Sequence, residues 1–195
     1  MLIENVQGNS DGENRKEIIM NEKKQVNWKK ELLSWILILA CALGAGLFIS
    51  KGLIVNAEIP SESMEETIMT GDRLIALRTA YWFDDPQRGD IVVFRYPDNE
   101  KELYIKRIIG IPGDVVEGKD GKVIVNGTQL DEPYVTEEIE EDFGPYTVPE
   151  DSYFMMGDNR NSSWDSRFWE NTYVKKDKIL GKAFVRYYPK FKLFD

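Results

Sequence analysis

An apolar run without a single charged side chain, Leu32 to Ser50, constrains this chain more than any other feature. A helix needs about 20 apolar residues to cross a hydrocarbon core of about 30 Å, and a buried helix in a globular core usually keeps a polar face. A cleaved secretory signal is the other alternative, because Val55-Asn56-Ala57 resembles a small-residue cleavage site. The polar segment before the run is too long for such a signal, whose apolar core spans about 7–15 residues. The run therefore predicts an uncleaved transmembrane helix at residues 32–50.

Positive charge in front of the apolar run predicts its orientation. Lysines precede the run at these positions: Lys23, Lys24, Lys29 and Lys30. Because positively charged flanks stay on the cytoplasmic side, we expect a cytoplasmic tail at residues 1–31 and an extracytoplasmic domain at residues 51–195. No second apolar run follows, so the chain is expected to cross the lipid bilayer of the cell membrane once.

The residues beyond Lys51 have the pattern of a β protein. Short runs rich in β-branched and aromatic residues alternate with Gly, Pro, Asn and Asp turn signals. The predicted strands cover residues 73–77, 90–96, 103–109, 114–117, 122–125, 153–156 and 179–188. The acidic stretch at 128–150 is predicted to be a solvated loop. The fold class is therefore mainly β, with a single N-terminal transmembrane helix followed by an antiparallel β-sheet domain.

Histidine is absent from the chain, and this excludes several kinds of active site. Without it, neither a Ser-His-Asp triad, nor a Cys-His dyad, nor a His-ligated metal site can form. The only cysteine, Cys41, lies in the apolar run and can form no intrachain disulfide. A formal net charge of −9 lacks the basic footprint of a protein that binds nucleic acid. We expect no metal and no cofactor, and a hydrolase built from this chain must use carboxylates, or a Ser or Thr activated by a lysine or an α-amine.

A candidate nucleophile lies shortly after the apolar run, in the segment Ile59-Pro60-Ser61-Glu62-Ser63-Met64. We interpret Ser63 as a nucleophile at the outer face of the membrane, and it needs a base because a serine hydroxyl alone reacts poorly. Lys106 fits best, since it lies mid-strand among apolar neighbours and burial lowers the pKa of a lysine. Side chains alternate along a strand, so Lys106 is expected to share a side with Tyr104 and Ile108. A solvated edge-strand lysine is the alternative.

Four motifs follow one another behind the apolar run. They are Pro60-Ser61-Glu62-Ser63-Met64 running to Thr67 and Gly71-Asp72; Gly89-Asp90-Ile91-Val92-Val93-Phe94; Tyr104-Ile105-Lys106-Arg107 running to Gly110 and Pro112-Gly113-Asp114; and Gly157-Asp158-Asn159-Arg160-Asn161-Ser162-Ser163-Trp164-Asp165-Ser166-Arg167. In this order they resemble the motifs of bacterial type I signal peptidases, membrane-anchored Ser/Lys endopeptidases that release secreted proteins from their leader peptides. The resemblance spans nearly all of the chain beyond the N-terminal tail.

The resemblance implies a role for each of several side chains. By position, Ser63 matches the nucleophile and Lys106 the general base. Ser61 matches a serine whose hydroxyl joins the Ser63 N–H in an oxyanion hole. Ser163 matches a serine that hydrogen-bonds the lysine amine and orients it, although its Asn161-Ser162-Ser163 context alone favours a plain turn serine. Four more residues match structural groups that stabilise this part of the site through hydrogen bonds and ion pairs: Asp158, Arg160, Asp165 and Arg167.

The resemblance also implies the substrate and its cleft. The expected partners are the signal peptides of secreted preproteins, and the secretion translocon. Two shallow apolar pockets for small residues are expected to be lined by Ile59, Met64, Ile68, Leu74, Val93, Tyr104 and Ile105. Each of these residues reads equally as ordinary core. The short segment at about 114–152 resembles the small inserted β-subdomain of some family members.

Two acidic residues depart from the family pattern. Glu62 stands where many relatives have glycine, and Glu66 where most have proline. A carboxylate next to the nucleophile would favour a charged lysine and oppose the mechanism unless Glu62 points to solvent. The alternatives to a signal peptidase are a related Ser/Lys peptidase for specialised precursors such as pilin-like proteins, and a catalytically inactive scaffold beside the secretion machinery.

Overall fold

The structure is a computed structural model that describes residues 27–194. The chain divides into two compact units, Met1–Gly46 and Leu47–Asp195. The predicted tail at residues 1–31 therefore lies almost entirely outside the described residues. The two units are taken separately below.

The described part of the first unit belongs to one long helix, α1, which spans Trp28–Phe48. Its backbone begins four residues before the apolar run, because no helix-breaking residue separates that run from Trp28 and the Asn27 carbonyl accepts the first N–H groups. A helix of this length extends about 31 Å, close to the thickness of a hydrocarbon core. None of its side chains is buried, and the segment is long and apolar enough to cross a membrane.

The second unit is built almost wholly from short strands. In chain order they are β1 Ile54–Glu58, β2 Arg73–Leu77, β3 Ile91–Tyr96, β4 Asn99–Gly110, β5 Val115–Lys119, β6 Lys122–Val125, β7 Thr128–Gln129, β8 Phe143–Thr147, β9 Ser152–Met156, β10 Val174–Lys175, β11 Ile179–Tyr188 and β12 Lys192–Leu193. A larger sheet has the order β1-β2-β11-β3-β4-β9-β10, with β12 beside β11, and a smaller sheet has the order β7-β6-β5-β8. Every pairing is antiparallel. The predicted mainly β, antiparallel fold with one N-terminal apolar helix is confirmed.

Three apolar clusters pack against the larger sheet, and one of them includes the segment between β1 and β2. One cluster joins Ile59, Met64 and Ile68 of that segment to β2, β3 and β4. A second lies between the two sheets, and a third covers the other face of β3, β4 and β9, where it includes Trp169. Because the residues around position 63 are embedded in the first cluster, their backbone is held against the central strands.

The stretch at 128–150 is not simply a solvated loop, and that prediction was wrong in part. It contains β7 and β8, and Ile139 and Val148 are buried beneath the smaller sheet. The sequence did not predict β8, because its Gly144-Pro145 pair is typical of a turn or loop. Proline is tolerated there because β8 is an edge strand of its sheet, where a missing N–H breaks no ladder bond.

Strand β1 was also missed as a strand. The Val55-Asn56-Ala57 segment, which resembles a cleavage site in the sequence, lies inside β1 and pairs with β2 from Ile54↔Leu77 to Glu58↔Arg73. β1 thus leads the chain directly to Ile59 and the candidate nucleophile.

Candidate active site

The structure brings Ser63 and Lys106 into direct contact, although they are 43 positions apart in sequence. The Lys106 Nζ lies 2.5 Å from the Ser63 Oγ. Both residues are buried, with 5% of Ser63 and 3% of Lys106 exposed. A serine hydroxyl within hydrogen-bond reach of an amine is the geometry that proton transfer between them needs.

Lys106 is only 3% exposed: it pairs with Val92 of β3, and β9 joins the other side of β4 from the next residue, Arg107. It is therefore not a solvated edge lysine. Its Nζ lies 5.7 Å from the centroid of the Tyr104 ring, as expected if the two side chains share a side of the strand. Burial lowers the pKa of the Lys106 amine to about 8, against the smaller opposing effects of the Asp165 and Asp158 carboxylates. A large fraction of the amine is therefore neutral at mildly alkaline pH, which is the form that accepts a proton.

Contacts on both sides hold the backbone around Ser63. Met64 is fully buried, and its carbonyl accepts the Ile68 N–H at 2.8 Å in the turn that follows. The Asn159 N–H donates to the Ser63 carbonyl at 3.2 Å, and the Asn159 side-chain amide donates to the Glu62 carbonyl at 3.2 Å. The Gly157–Arg167 motif is therefore hydrogen-bonded to the nucleophile segment through both the side chain and the backbone of Asn159.

Gly157 permits a very close approach at this point. A Cβ on Gly157 would lie 2.3 Å from both the Ser63 carbonyl oxygen and the Ser163 Oγ. Ser163 is thus placed beside the nucleophile segment, but its Oγ is buried with no hydrogen-bond partner among residues 27–194. The hydrogen bond from Ser163 to the lysine amine, which the resemblance implies, is not formed in this structure.

Two carboxylates behind Lys106 are each neutralised by an arginine. Asp158 accepts the Thr67 hydroxyl at 2.6 Å and pairs with Arg107 at 2.6 Å. Asp165 pairs with Arg167 at 2.8 Å and also accepts the Gly157 N–H at 3.0 Å. These are the stabilising contacts expected of the Gly157–Arg167 motif. Through Thr67, Asp158 also links this motif to the segment that carries Ser63.

A further pair of bracing residues comes from the acidic stretch, and sequence reasoning missed both. Glu132 forms an ion pair with Arg160, and the Tyr134 hydroxyl donates to Glu132 at 2.9 Å. The Tyr134 ring stacks on the Arg107 guanidinium at 3.7 Å from the ring centroid. No sequence signal separates Glu132 from the other acidic residues of this stretch, since its partner is 28 positions away.

Ser61 and Glu62 lie at the mouth of the site. Ser61 is exposed, and its Oγ lies 3.4 Å from the Ser63 Oγ. Glu62 is exposed, as is Glu66. The charges with the largest effect on the pKa of Lys106 are those of Asp165, Asp158 and Arg167, and Glu62 is not among them.

A cleft of about 760 Å³ opens beside the two candidate groups. Of the seven apolar residues expected to line it, four contribute to its walls: Ile59, Val93, Tyr104 and Ile105. The other three, Met64, Ile68 and Leu74, are fully buried and belong to the core beneath the cleft. Leu103 and Trp164 line the cleft as well and were not singled out by the sequence, since an exposed apolar residue carries no local signal of its position.

This arrangement defines a class of protein. A cleft with a buried Ser–Lys pair at its base is suited to nucleophilic catalysis in which a lysine replaces histidine as the base. Among residues 27–194, no group of His, Cys, Asp or Glu side chains could hold a metal ion.

Comparisons with known proteins identify the family of this chain and several similar proteins. The family model described as signal peptidase, peptidase S26, matches residues 32–188. A probable signal peptidase I-2 from Synechocystis is 44% identical over 76% of this chain and 67% of its own length. A signal peptidase I from Bacillus licheniformis is 36% identical over 87% of this chain and 96% of its own length. A signal peptidase I from Enterococcus faecalis with a known crystal structure is 37% identical. The match covers 51% of this chain and 97% of the chain in that crystal structure, with a TM-score of 0.45.

The chain belongs to the signal peptidase family, peptidase S26. It is a serine endopeptidase of the signal peptidase I type.

Proposed function

We propose that this chain is a membrane-anchored endopeptidase that removes N-terminal signal peptides from secreted preproteins, with Ser63 as nucleophile and Lys106 as general base. The observation that supports it most is the contact between the buried Lys106 amine and the Ser63 hydroxyl at 2.5 Å. The relatives named signal peptidase I supply the substrate class.

In the first half of the reaction, the neutral Lys106 amine takes the proton of the Ser63 hydroxyl. The Ser63 Oγ then attacks the carbonyl carbon of the scissile peptide. Negative charge develops on the carbonyl oxygen, where the Ser63 N–H and the Ser61 hydroxyl donate to it as an oxyanion hole. The C–N bond breaks, and the Lys106 ammonium returns its proton to the leaving amine.

The second half of the reaction regenerates the enzyme. The product of the first half is an ester between the Ser63 Oγ and the last residue of the signal peptide. Neutral Lys106 then deprotonates a water molecule, which attacks the ester carbonyl. The ester C–O bond breaks, the proton passes to Ser63, and the signal peptide leaves with a new carboxylate.

The cleft fits an extended peptide that adds as a strand. The segment from Ile59 to Ser63 forms one wall, and the Leu103–Lys106 part of β4 forms another. A peptide between these walls finds backbone partners, and its alternate side chains enter the cleft. We assign Ile59, Val93, Tyr104 and Ile105 to the pockets for small residues at the first and third positions before the cut.

The helix α1 is proposed to anchor the enzyme, with residues 1–31 in the cytoplasm and residues 51–195 outside. The segment at about 114–152, which holds the smaller sheet, is proposed as the small inserted subdomain of the peptidase domain. Protease added outside intact cells is expected to degrade the peptidase domain and to spare the tail. Degradation of the tail alone would refute the orientation.

The mechanism is tested with the full chain in liposomes and a precursor that carries an Ala-x-Ala site. Ser63→Ala and Lys106→Met are each expected to abolish cleavage. Lys101→Met is the matched control, because Lys101 is an exposed lysine on the same strand, and it should cleave like the parent. Activity that survives in either of the first two variants contradicts the Ser/Lys pair. If no precursor is cut by the parent, the specialised-peptidase and scaffold alternatives are favoured instead.

A further inference from the structure

We propose that Tyr134, in the segment between β7 and β8, is a positioning residue for the Ser63/Lys106 pair. It acts through Arg107, which follows Lys106 directly on β4. The Arg107 Cζ lies 3.7 Å from the centroid of the Tyr134 ring. A planar guanidinium against an aromatic face is held by cation–π attraction, which strengthens as the two groups are shielded from water. The inference rests on the proposed function and adds to it a residue that touches neither the substrate nor the reacting atoms.

The Arg107 guanidinium is bound at its edge by acceptors and at its face by the Tyr134 ring. Its Nε donates to one Asp158 carboxylate oxygen at 2.8 Å, and one of its terminal nitrogens donates to the other at 2.6 Å. The second terminal nitrogen donates to the Gly89 carbonyl at 2.8 Å. Only 11% of the Arg107 side chain is exposed, and none of the Asp158 side chain is. The ring therefore keeps water from competing for the paired bonds between Arg107 and Asp158.

Asp158 connects this contact to both halves of the catalytic pair. Its carboxylate accepts the Thr67 hydroxyl at 2.6 Å, and Thr67 belongs to the same segment as the nucleophile. The same carboxylate is one of the charged groups that act on the pKa of the Lys106 amine. Two of these groups raise that pKa and one lowers it: Asp165, Asp158 and Arg167, in that order. A change in how firmly Arg107 holds Asp158 is therefore felt at the base.

Tyr134 is held in place from the side of the smaller sheet. The Leu130 N–H donates to a carbonyl of β6 at 2.9 Å, and the Val135 N–H closes a turn on the Glu132 carbonyl at 3.1 Å. The Tyr134 hydroxyl donates to the Glu132 carboxylate at 2.9 Å, and that carboxylate is in turn paired with Arg160. The ring is thus fixed at its hydroxyl end as well as at its backbone, so its place on the guanidinium is part of the fold.

Removal of the ring is expected to change the protonation of the base rather than the chemistry itself. Water would reach the guanidinium and weaken its bonds to Asp158, so the carboxylate would be less well neutralised. A less neutralised carboxylate raises the pKa of the Lys106 amine, and less neutral base is then present at a given pH. At high pH, where the amine is neutral in both proteins, the loss should disappear. A residue that only stabilises the fold would not move the pH dependence in this way.

The pH profile of precursor cleavage tests this role. We compare kcat/KM between about pH 6 and pH 10 for the full chain in liposomes, for Tyr134→Leu and for Tyr134→Phe. In Tyr134→Leu the midpoint of the acid limb should move up by about 0.5, so that kcat/KM at pH 7 falls about threefold. Tyr134→Phe keeps the ring and should follow the parent. Burial and the Glu132 carboxylate raise the pKa of the Tyr134 phenol far above its ordinary value, so the phenol itself does not titrate in this range.

A second substitution tests whether Tyr134 acts through Arg107. Arg107→Lys keeps the positive charge beside Asp158 but removes the flat face and the two-point pairing. It should move the acid limb in the same direction as Tyr134→Leu. In the Arg107→Lys background, Tyr134→Leu should cause no further movement, because the contact that it removes is already absent.

Three results would overturn the inference. One is a Tyr134→Leu profile with the midpoint of the parent, whether or not its rate is lower. Another is a Tyr134→Leu protein that does not fold, which would make Tyr134 a residue of the fold alone. The third is a Tyr134→Phe profile that moves as far as that of Tyr134→Leu, because the ring would then not be responsible. A parent profile with no acid limb, or cleavage by Lys106→Met, refutes the Ser/Lys pair itself and is thus distinct from these three.

Discussion

Replacing Lys106 by methionine is expected to stabilise the protein at neutral pH even though it removes the proposed base. Burial lowers the pKa of the amine from 10.5 to about 8, so between these values the folded protein binds fewer protons than the unfolded chain. The stability cost of Lys106 is therefore fully present below the folded value and disappears as the pH rises through the unfolded value. It amounts to about 3 kcal/mol at pH 7, about 2 kcal/mol at pH 9 and a few tenths of a kcal/mol at about pH 11.

Methionine also removes a favourable interaction. The hydrogen bond between Lys106 and Ser63 contributes ~1 kcal/mol, while methionine keeps an unbranched apolar stem of similar length. The net expectation is a variant that is more stable than the parent by about 2 kcal/mol at pH 7 and less stable by about 1 kcal/mol near pH 11. The sign of the difference reverses because only the desolvation of the charged amine depends on pH.

Urea unfolding of the full chain in detergent micelles measures this difference. The tryptophan fluorescence reports on the domain, since Trp169 is buried in its core. The parent and Lys106→Met are compared at pH 7, 9 and 11, where the titration of all other groups is common to both. Lys101→Met should follow the parent at every pH. A variant that is less stable than the parent at pH 7, or a difference that does not change with pH, would refute the claim that Lys106 is held in a site that disfavours its charge.

Three further predictions concern activity. Because the neutral fraction of an amine of pKa about 8 rises about tenfold from pH 7 to pH 9, kcat/KM for precursor cleavage should rise by the same factor and then level off; a profile that is flat over this range contradicts Lys106 as base. Ser61→Ala should lower kcat by about 10²-fold with little change in KM, and an unchanged kcat would exclude its hydroxyl from the oxyanion hole. Tyr134→Leu removes the ring stacked on Arg107 and should lower kcat. The control is Glu138→Gln, on the exposed side of the same stretch, which should leave kcat unchanged. Equal kcat values in the two variants would limit Tyr134 to a structural role.

The Ser–Lys pair could be predicted from the sequence because the chain offers few alternatives. With no histidine and one cysteine in the apolar run, a serine needs a lysine, and Lys106 stands among apolar residues on a regular strand pattern. The strand that carries it can be predicted as well, since Ile105, Ile108 and Ile109 lie close to it in a short run that ends at Gly110. Local pattern thus predicted the strand and offered Lys106 as a candidate, while the resemblance to type I signal peptidases selected it over a solvated edge-strand lysine.

Other parts of the site depend on contacts that no local pattern records. Met64 and Leu74 have the same apolar character as Ile59 and belong to the same core cluster, yet of the three only Ile59 also lines the cleft. Which of them faces the cleft is decided by how strands pack in three dimensions. Glu132 is one carboxylate among many in its stretch, and only the fold brings it to Arg160. Strand β8 was hidden because its edge position is what makes its proline acceptable.

The pKa of the Lys106 amine depends on the two carboxylates behind it as well as on its burial. Asp165 and Asp158 both raise the pKa of the amine, and Arg167 lowers it. Each carboxylate is bound by its own arginine, Asp158 by Arg107 and Asp165 by Arg167, and the positive charge of Arg167 offsets part of the rise in the pKa of Lys106 that the carboxylates cause. If either arginine were removed, an unpaired carboxylate would face the amine and raise its pKa, and less neutral base would be present at a given pH. The ion pairs therefore do more than stabilise this part of the fold, because they limit how far the carboxylates oppose the lowering of the Lys106 pKa by burial.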